Sequence, residues 1–343
     1  MAYSNINKPN EYFNTKLYTG NGTGQSITGV GFQPDFVWCK RRSTSGQNFL
    51  QNIVQGTNKA LFSDSTSAEF TGGVDGGTSV TSFDSDGFTL GTEGGINGSG
   101  GTFASWNWLA GGTGVSNTQG SIASTVSANT TAGFSVVSWT GNSGTVGHGL
   151  GQKPACIIIK SKQSVNNWVV VNQGLGTMSG NVLVLNTTGA ASGGGAGQVE
   201  PTANVFTITS GLAANDNNIG YVFAEKKGFS KFGSYTGNGS SNGTFVYTGF
   251  KPAFVITKRT DSADNWGLLD NKRDGYNLTN KALTPNSSGA EYTTNSPASD
   301  FVSNGFKIRQ SDGVINASGG SYIYMAFAES PLVAGNYVPT TAR

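Results

Sequence analysis

His148 is the only histidine in the sequence, so any Ser-His-Asp, Cys-His or His-ligated zinc arrangement would have to be built around it. It stands six residues before Pro154. At that offset from the matching prolines of two sister segments, described below, stand Thr28 and Val246, which supports a structural role. Asp84-Ser85-Asp86-Gly87 alternates carboxylates as a calcium loop does. The sister run Val302-Ser303-Asn304-Gly305 has lost them, so a turn accounts for every copy and a metal site for only one. Gly20-Asn21-Gly22-Thr23-Gly24 has the glycine spacing of a phosphate loop, but no Lys-Ser pair and no helix follow it. Glu69, Glu93, Glu200 and Asp270 are scattered carboxylates, and glycosidase acids need only converge in space, yet nothing in their spacing pairs them. Cys39 and Cys156 make neither a disulfide framework nor a zinc spacing. The sequence therefore predicts no catalytic residue, cofactor or metal site, and a protein that is not an enzyme.

The aromatic residues offer a different chemistry, since a flat ring can cover the apolar face of a sugar. Trp168 and Trp266 recur at one position of the repeat beside apolar residues, which predicts core packing. Tyr276, Tyr292 and Tyr337 lie in stretches peculiar to one copy and are the candidate ligand contacts. The Asn-X-Ser/Thr sequons, such as Asn21, Asn129, Asn238 and Asn277, follow from a composition rich in those residues.

The elements that position these residues are repeated. Three segments open on an aromatic followed by Thr-Gly-Asn: Tyr18-Thr19-Gly20-Asn21, Trp139-Thr140-Gly141-Asn142 and Tyr235-Thr236-Gly237-Asn238. Each then reaches a proline and an apolar run, at Pro34, Pro154 and Pro252, with a lysine six residues on at Lys40, Lys160 and Lys258. Asn167-Trp168 and Asn265-Trp266 open the next strands, with Asn48-Phe49 as the expected counterpart. The copies close on Trp108, Phe223 and Phe327, which lie 74, 69 and 75 residues after their prolines. The post-proline runs are apolar on both faces, as in a strand covered on both sides. Asp86-Gly87 and Asn304-Gly305 are hairpin signals of the type I′ kind. No segment has a helical apolar period.

The fold expected is all-β: three tandem antiparallel sandwich-like modules of about 95 residues with little helix. The boundaries read as an N-terminal arm 1–16, modules at 17–110, 134–225 and 232–329, a flexible Gly/Ser/Thr linker 111–133 and a C-terminal tail 330–343. Fifty-two glycines, 12% charged and 11% aromatic residues describe a packed, turn-rich protein rather than a disordered one. A net charge of +2 and a single short basic cluster, Lys40-Arg41-Arg42, argue against nucleic acid as a partner. Neither a signal peptide nor a transmembrane span is visible, so the expectation is synthesis in a host cytoplasm without membrane insertion.

The phrases Leu17-Tyr18-Thr19-Gly20-Asn21-Gly22, Ile27 to Trp38, Val80 to Gly91 and the closing Val338-Pro339-Thr340-Thr341-Ala342-Arg343 resemble a family of virion proteins from tailed phages of marine bacteria, cyanophages included. The resemblance covers almost the whole chain. It implies a virion component labelled as tail-fibre or structural, and it carries no catalytic residues. On that basis the expected role is a tail-fibre or receptor-binding protein contacting a host surface glycan, with other virion proteins as partners and a homotrimer as the favoured oligomer. A capsid decoration or cement protein is the alternative, and a glycan depolymerase the third reading.

Overall fold

The computed structural model describes residues 4–72, 76–193, 199–209, 214–294 and 297–332. It is all-β and antiparallel, and the same pair of sheets is built three times. In each module the opening strand (Phe13–Thr19, Phe134–Thr140 or Ser230–Thr236) pairs with the closing strand (Thr102–Trp108, Asn217–Phe223 or Ser321–Pro331). The closing strand pairs with the post-proline strand (Phe36–Arg41, Cys156–Ser161 or Phe250–Arg259), and that with a fourth (Asn48–Asn52, Val169–Asn172 or Trp266–Asp270). A smaller sheet faces it, formed by Gln25–Thr28, Gly87–Leu90 and Val80–Asp84 in module 1, Gly144–Gly147 and Val205–Ile208 in module 2, and Phe245–Tyr247, Gly305–Ile308 and Ser299–Val302 in module 3.

Recurrent residues have steric causes. A Cβ on Gly20 would fall 2.4 Å from the Gly98 carbonyl oxygen and one on Gly237 would fall 2.3 Å from that of Ala317, so the glycine of the Thr-Gly-Asn phrase is required by close backbone approach. The Tyr18 and Tyr235 hydroxyls donate to the carbonyls of Ile96 and Ile315, each at 2.8 Å, and so tie the opening strand to a one-turn helix, Gly94–Asn97 or Gly313–Asn316. The hairpins form one residue earlier than the dipeptides suggest: Asp84 pairs with Gly87 and Val302 with Gly305, leaving Ser85-Asp86 and Ser303-Asn304 as the turns. These turn residues lack positive φ. Gly87 and Gly305 are instead required because a Cβ would meet the carbonyl oxygen of Ile27 at 1.8 Å and of Val246 at 2.0 Å.

The modules are not beads on a string. Phe36 and Trp38 point away from the interior of module 1, where Val37 and Cys39 lie, into a core shared by all three copies. The closing aromatics meet there: ring centroids are 6.4 Å apart for Trp108 and Phe223, 5.6 Å for Trp108 and Phe327, and 5.8 Å for Phe223 and Phe327. The two-faced apolarity of the post-proline strand has this origin, one face serving its own module and the other the centre.

The outer contacts close a ring with approximate threefold symmetry. Trp168 Nε1 of module 2 donates to Phe62 O of module 1 at 2.8 Å, Trp266 Nε1 of module 3 to Val184 O of module 2 at 3.2 Å, and Asn48 Nδ2 of module 1 to Thr284 O of module 3 at 3.4 Å. Beside them run equivalent backbone bonds: Asn166 N to Thr66 O, Asp264 N to Thr188 O and Gly46 N to Ser288 O, at 3.1, 2.8 and 2.8 Å. A second set goes the other way, from Glu69, Ala191 and Glu291 N to Lys162, Thr260 and Arg42 O. Each contact is head-to-tail, and the third returns to the first, the condition for a heterologous interface to close. Asn48, not Phe49, is thus the counterpart of Trp168: it pairs with Lys40 as Trp266 pairs with Lys258.

Segment 111–133 is not a flexible linker. Val115–Asn117 pairs with Ser124–Asn129, which pairs in turn with the opening strand of module 2, and Asp35 Oδ2 accepts Ala110 N at 2.8 Å and Gly112 N at 3.1 Å to anchor the start of the segment. The expected arm also folds. Module 1 begins its strand at Phe13, and Ile6 is buried in the common core. Of the tail, the described part continues the closing strand to Pro331.

Candidate binding surface

The groups that carried potential chemistry are held in structural roles. His148 is fully buried; its Nδ1 accepts Leu150 N at 3.2 Å, which leaves the proton on Nε2, 3.3 Å from Thr202 O. Burial lowers its pKa to about 4, so it is neutral at physiological pH. Register corrects its counterparts: Ile27, Val146 and Val246 face Phe88, Phe206 and Phe306, so His148 aligns with Gly29 and Thr248 rather than with Thr28 and Val246. Asp86 receives Gly29 N at 2.9 Å and Gly31 N at 2.7 Å, and these donors hold its carboxyl below the usual range.

The carboxylates occupy separate structural positions. Glu69 accepts Gln55 Nε2 at 2.7 Å, Glu93 caps a helix through Gly95 N at 2.8 Å, and Glu200 accepts Met178 N at 2.8 Å. Asp270 is fully buried, bonded to Arg273 Nε at 2.6 Å and, across the module 3 to module 1 seam, to Trp106 Nε1 at 3.0 Å. Glu291 joins it through Arg273 and receives a bidentate pair from Arg42 at 2.8 and 2.9 Å. This buried network is a seam between copies. Two of the recurrent lysines also serve seams: Lys40 Nζ reaches Ser287 O at 3.3 Å and Lys258 Nζ reaches Thr188 O at 3.2 Å, each in a neighbouring module, whereas Lys160 Nζ bonds within its own, to Ser161 O, Ser164 O and Asn166 Oδ1. Burial pushes Lys40, Lys160 and Lys258 down to about 8. Burial likewise raises the Cys39 and Cys156 thiols to about 12, far from a reactive thiolate. Trp168 and Trp266 are buried at the seams, in packing roles as expected.

The three candidate tyrosines part company. Tyr276 is 80% exposed and lines a cleft of about 240 Å³ in module 3 together with Lys251, Asn271, Lys272, Thr279, Phe301 and Glu329 among others. Tyr292 is bridged to Ala282 and packs against the common core, outside that cleft. Tyr337 lies outside the described residues. The cleft exists because module 3 replaces a tight connection by a longer one. After Trp266–Asp270, Asp270 Oδ1 caps the helix Asn271–Asp274 by accepting Lys272 N and Arg273 N, each at 3.0 Å. Asp274 Oδ2 then accepts Asn280 N at 3.0 Å and Lys281 N at 3.1 Å, and Asn277 exchanges bonds with the backbone of Phe301 at 2.9 and 2.8 Å, so the loop bearing Tyr276 is fastened at both ends.

Phe245 and Tyr247 also face outward, 44% and 49% exposed on the outer face of the small sheet of module 3. Lys231 lies over the Tyr247 ring at 5.7 Å. The register makes Ser26 and Thr28, and Thr145 and Gly147, their equivalents. Two modules carry small residues outward and the third carries two rings; lining up the outward positions of the copies would have revealed it.

Among the described residues no His/Cys/Asp/Glu cluster of metal-binding size occurs, and no helix is long and apolar enough to cross a membrane. The sequence profile of a family described as a domain of unknown function, DUF7483, matches residues 8–331. The chain belongs to that family. The match runs through all three modules as one unit, in agreement with the ring. No curated protein matches the chain.

Proposed function

We propose that this protein is a bacteriophage virion structural protein that serves as a tail-fibre or receptor-binding component and contacts a glycan of the host surface. The observation that carries this reading is the contrast between a ring whose buried charged groups bond across its own seams and a single module that, among the described residues, turns large aromatic side chains outward, at Tyr276 and at Phe245 and Tyr247. The sequence resemblance to tailed-phage virion proteins points the same way. The chain closes a ring of three modules within itself, and a homotrimer of such chains is the favoured oligomer. That same ring supports a second reading, a capsid decoration protein seated on a threefold position of the shell. Purified protein added to host cells tests the choice. Binding to the cells and competition with phage adsorption is the expected result, whereas a protein without effect on adsorption whose loss weakens the capsid would overturn the receptor reading.

A further inference from the structure

The module 3 cleft has a definite chemical character. Its base holds an ion pair, Lys251 Nζ to Glu329 Oε2 at 2.5 Å, the lysine side chain 12% and the glutamate 34% exposed. Its wall also holds Asn271, whose side chain is partly exposed while its Oδ1 is closed off from solvent. The exposed Lys272, the buried Thr279 and the exposed Tyr276 stand in the same lining. A volume of about 240 Å³ exceeds what an ion needs and falls short of the roughly 300–1,000 Å³ of pockets for larger ligands.

We infer that this cleft is a subsite for one neutral hexopyranose ring, the Tyr276 ring covering the apolar face of the sugar and the exposed Lys272 ammonium bonding to its hydroxyls. The pieces match what such a ring presents: a face of C–H groups, and neighbouring hydroxyls that each donate and accept. Lys272 supplies a donor and the partly exposed Glu329 carboxylate an acceptor. The Glu329 carboxylate at the base, already paired with Lys251, opposes an anion such as phosphate or a sugar acid. The sister modules have no tyrosine at this place, although the connection of module 2 lines a larger cleft of its own against module 3, of about 590 Å³. Their connections run from Asn52 to Lys59 and from Asn172 to Asn181, too short to carry a counterpart of Tyr276.

The inference rests on the glycan-contact reading above, and its test is separate from adsorption. Saturation-transfer NMR and titration of the full chain with methyl α-glucopyranoside, methyl β-galactopyranoside and N-acetylglucosamine should show one of them binding with a Kd of about a millimolar, as a single small site allows. Tyr276→Ala should weaken that binding at least tenfold and Tyr276→Phe should retain it. Because this side chain is exposed, both variants should keep the wild-type melting temperature. Absence of transfer to all three sugars at tens of millimolar, equal binding by Tyr276→Ala, or preference for glucuronate or inorganic phosphate would overturn the inference. Sugar binding without competition for adsorption would sink the receptor reading alone; competition without sugar binding would sink the cleft alone.

Discussion

Trp168 gives the sharpest test of the ring. Its indole is fully buried at the seam between modules 2 and 1, its Nε1 donates to Phe62 O at 2.8 Å and Ser65 O at 3.2 Å, and its ring stacks with Tyr221 at 6.3 Å. Trp168→Phe removes the N–H, worth about 1 kcal/mol net. It also removes roughly two methylene equivalents of buried ring at about 0.8 kcal/mol each. The expected loss is about 2–3 kcal/mol. Trp168→Ala leaves a cavity and should cost about 3–5 kcal/mol, a large part of the 5–15 kcal/mol that holds an ordinary domain folded. Equilibrium unfolding in guanidinium, followed by circular dichroism and by tryptophan fluorescence, separates two outcomes. If the three modules are one cooperative unit, the wild type gives a single transition, coincident by both probes, and the substitution moves all of it to lower denaturant. If each module stands alone, the signal splits and modules 1 and 3 keep their wild-type midpoints. That split, or a Trp168→Phe effect below about 0.5 kcal/mol, would refute the closed ring.

Other substitutions probe the parts. Gly305→Ala would place a Cβ 2.0 Å from Val246 O and should cost at least about 3 kcal/mol in a thermal melt, while the exposed Phe245→Ser beside it should stay within about 0.5 kcal/mol of wild type. Lys258 has a folded pKa of about 8 against about 10.5 in the unfolded chain, so between those values the unfolded state binds more protons and stability rises with pH. The wild type should therefore gain on Lys258→Met from pH 8 to 10, and a constant difference over that interval would contradict the assignment. His148, depressed to about 4, withdraws stability as pH falls from about 6.5 to 4. His148→Thr, which installs the residue found at Thr248, should flatten the melting temperature across that interval.

The repeat was legible because the constraints that recur act on side-chain identity. A carbonyl within 2.5 Å of a would-be Cβ admits only glycine at Gly20 and Gly237, and the seam lysines recur at one spacing. The ring was not legible, because its acceptors are backbone carbonyls. Phe62, Val184 and Thr284 play one part with three unrelated side chains, and in module 1 the donor tryptophan is replaced by Asn48. That replacement also caused the one-residue slip at Asn48-Phe49. The strand Ser124–Asn129 was hidden by its composition, since only Val126 marks its inner face and its partners, not its residues, make it a strand. Of the candidate contacts, Tyr276 was found by its place in a copy-specific stretch. Phe245 and Tyr247 were missed because they sit within the repeat, where apolar residues were read as core.

Closing the ring within one polypeptide changes what a mutation can do. In a trimer of identical chains, every substitution is written three times around the axis, and a change useful at one subunit must be tolerated at the other two. Here Tyr276, Phe245 and Tyr247 each occur once, while the seams keep nearly the same backbone bonds three times over. The scaffold can thus stay fixed while one sector drifts under selection by whatever it touches. An inherited change in that sector is made at a single codon, with the other two thirds of the circle unaltered.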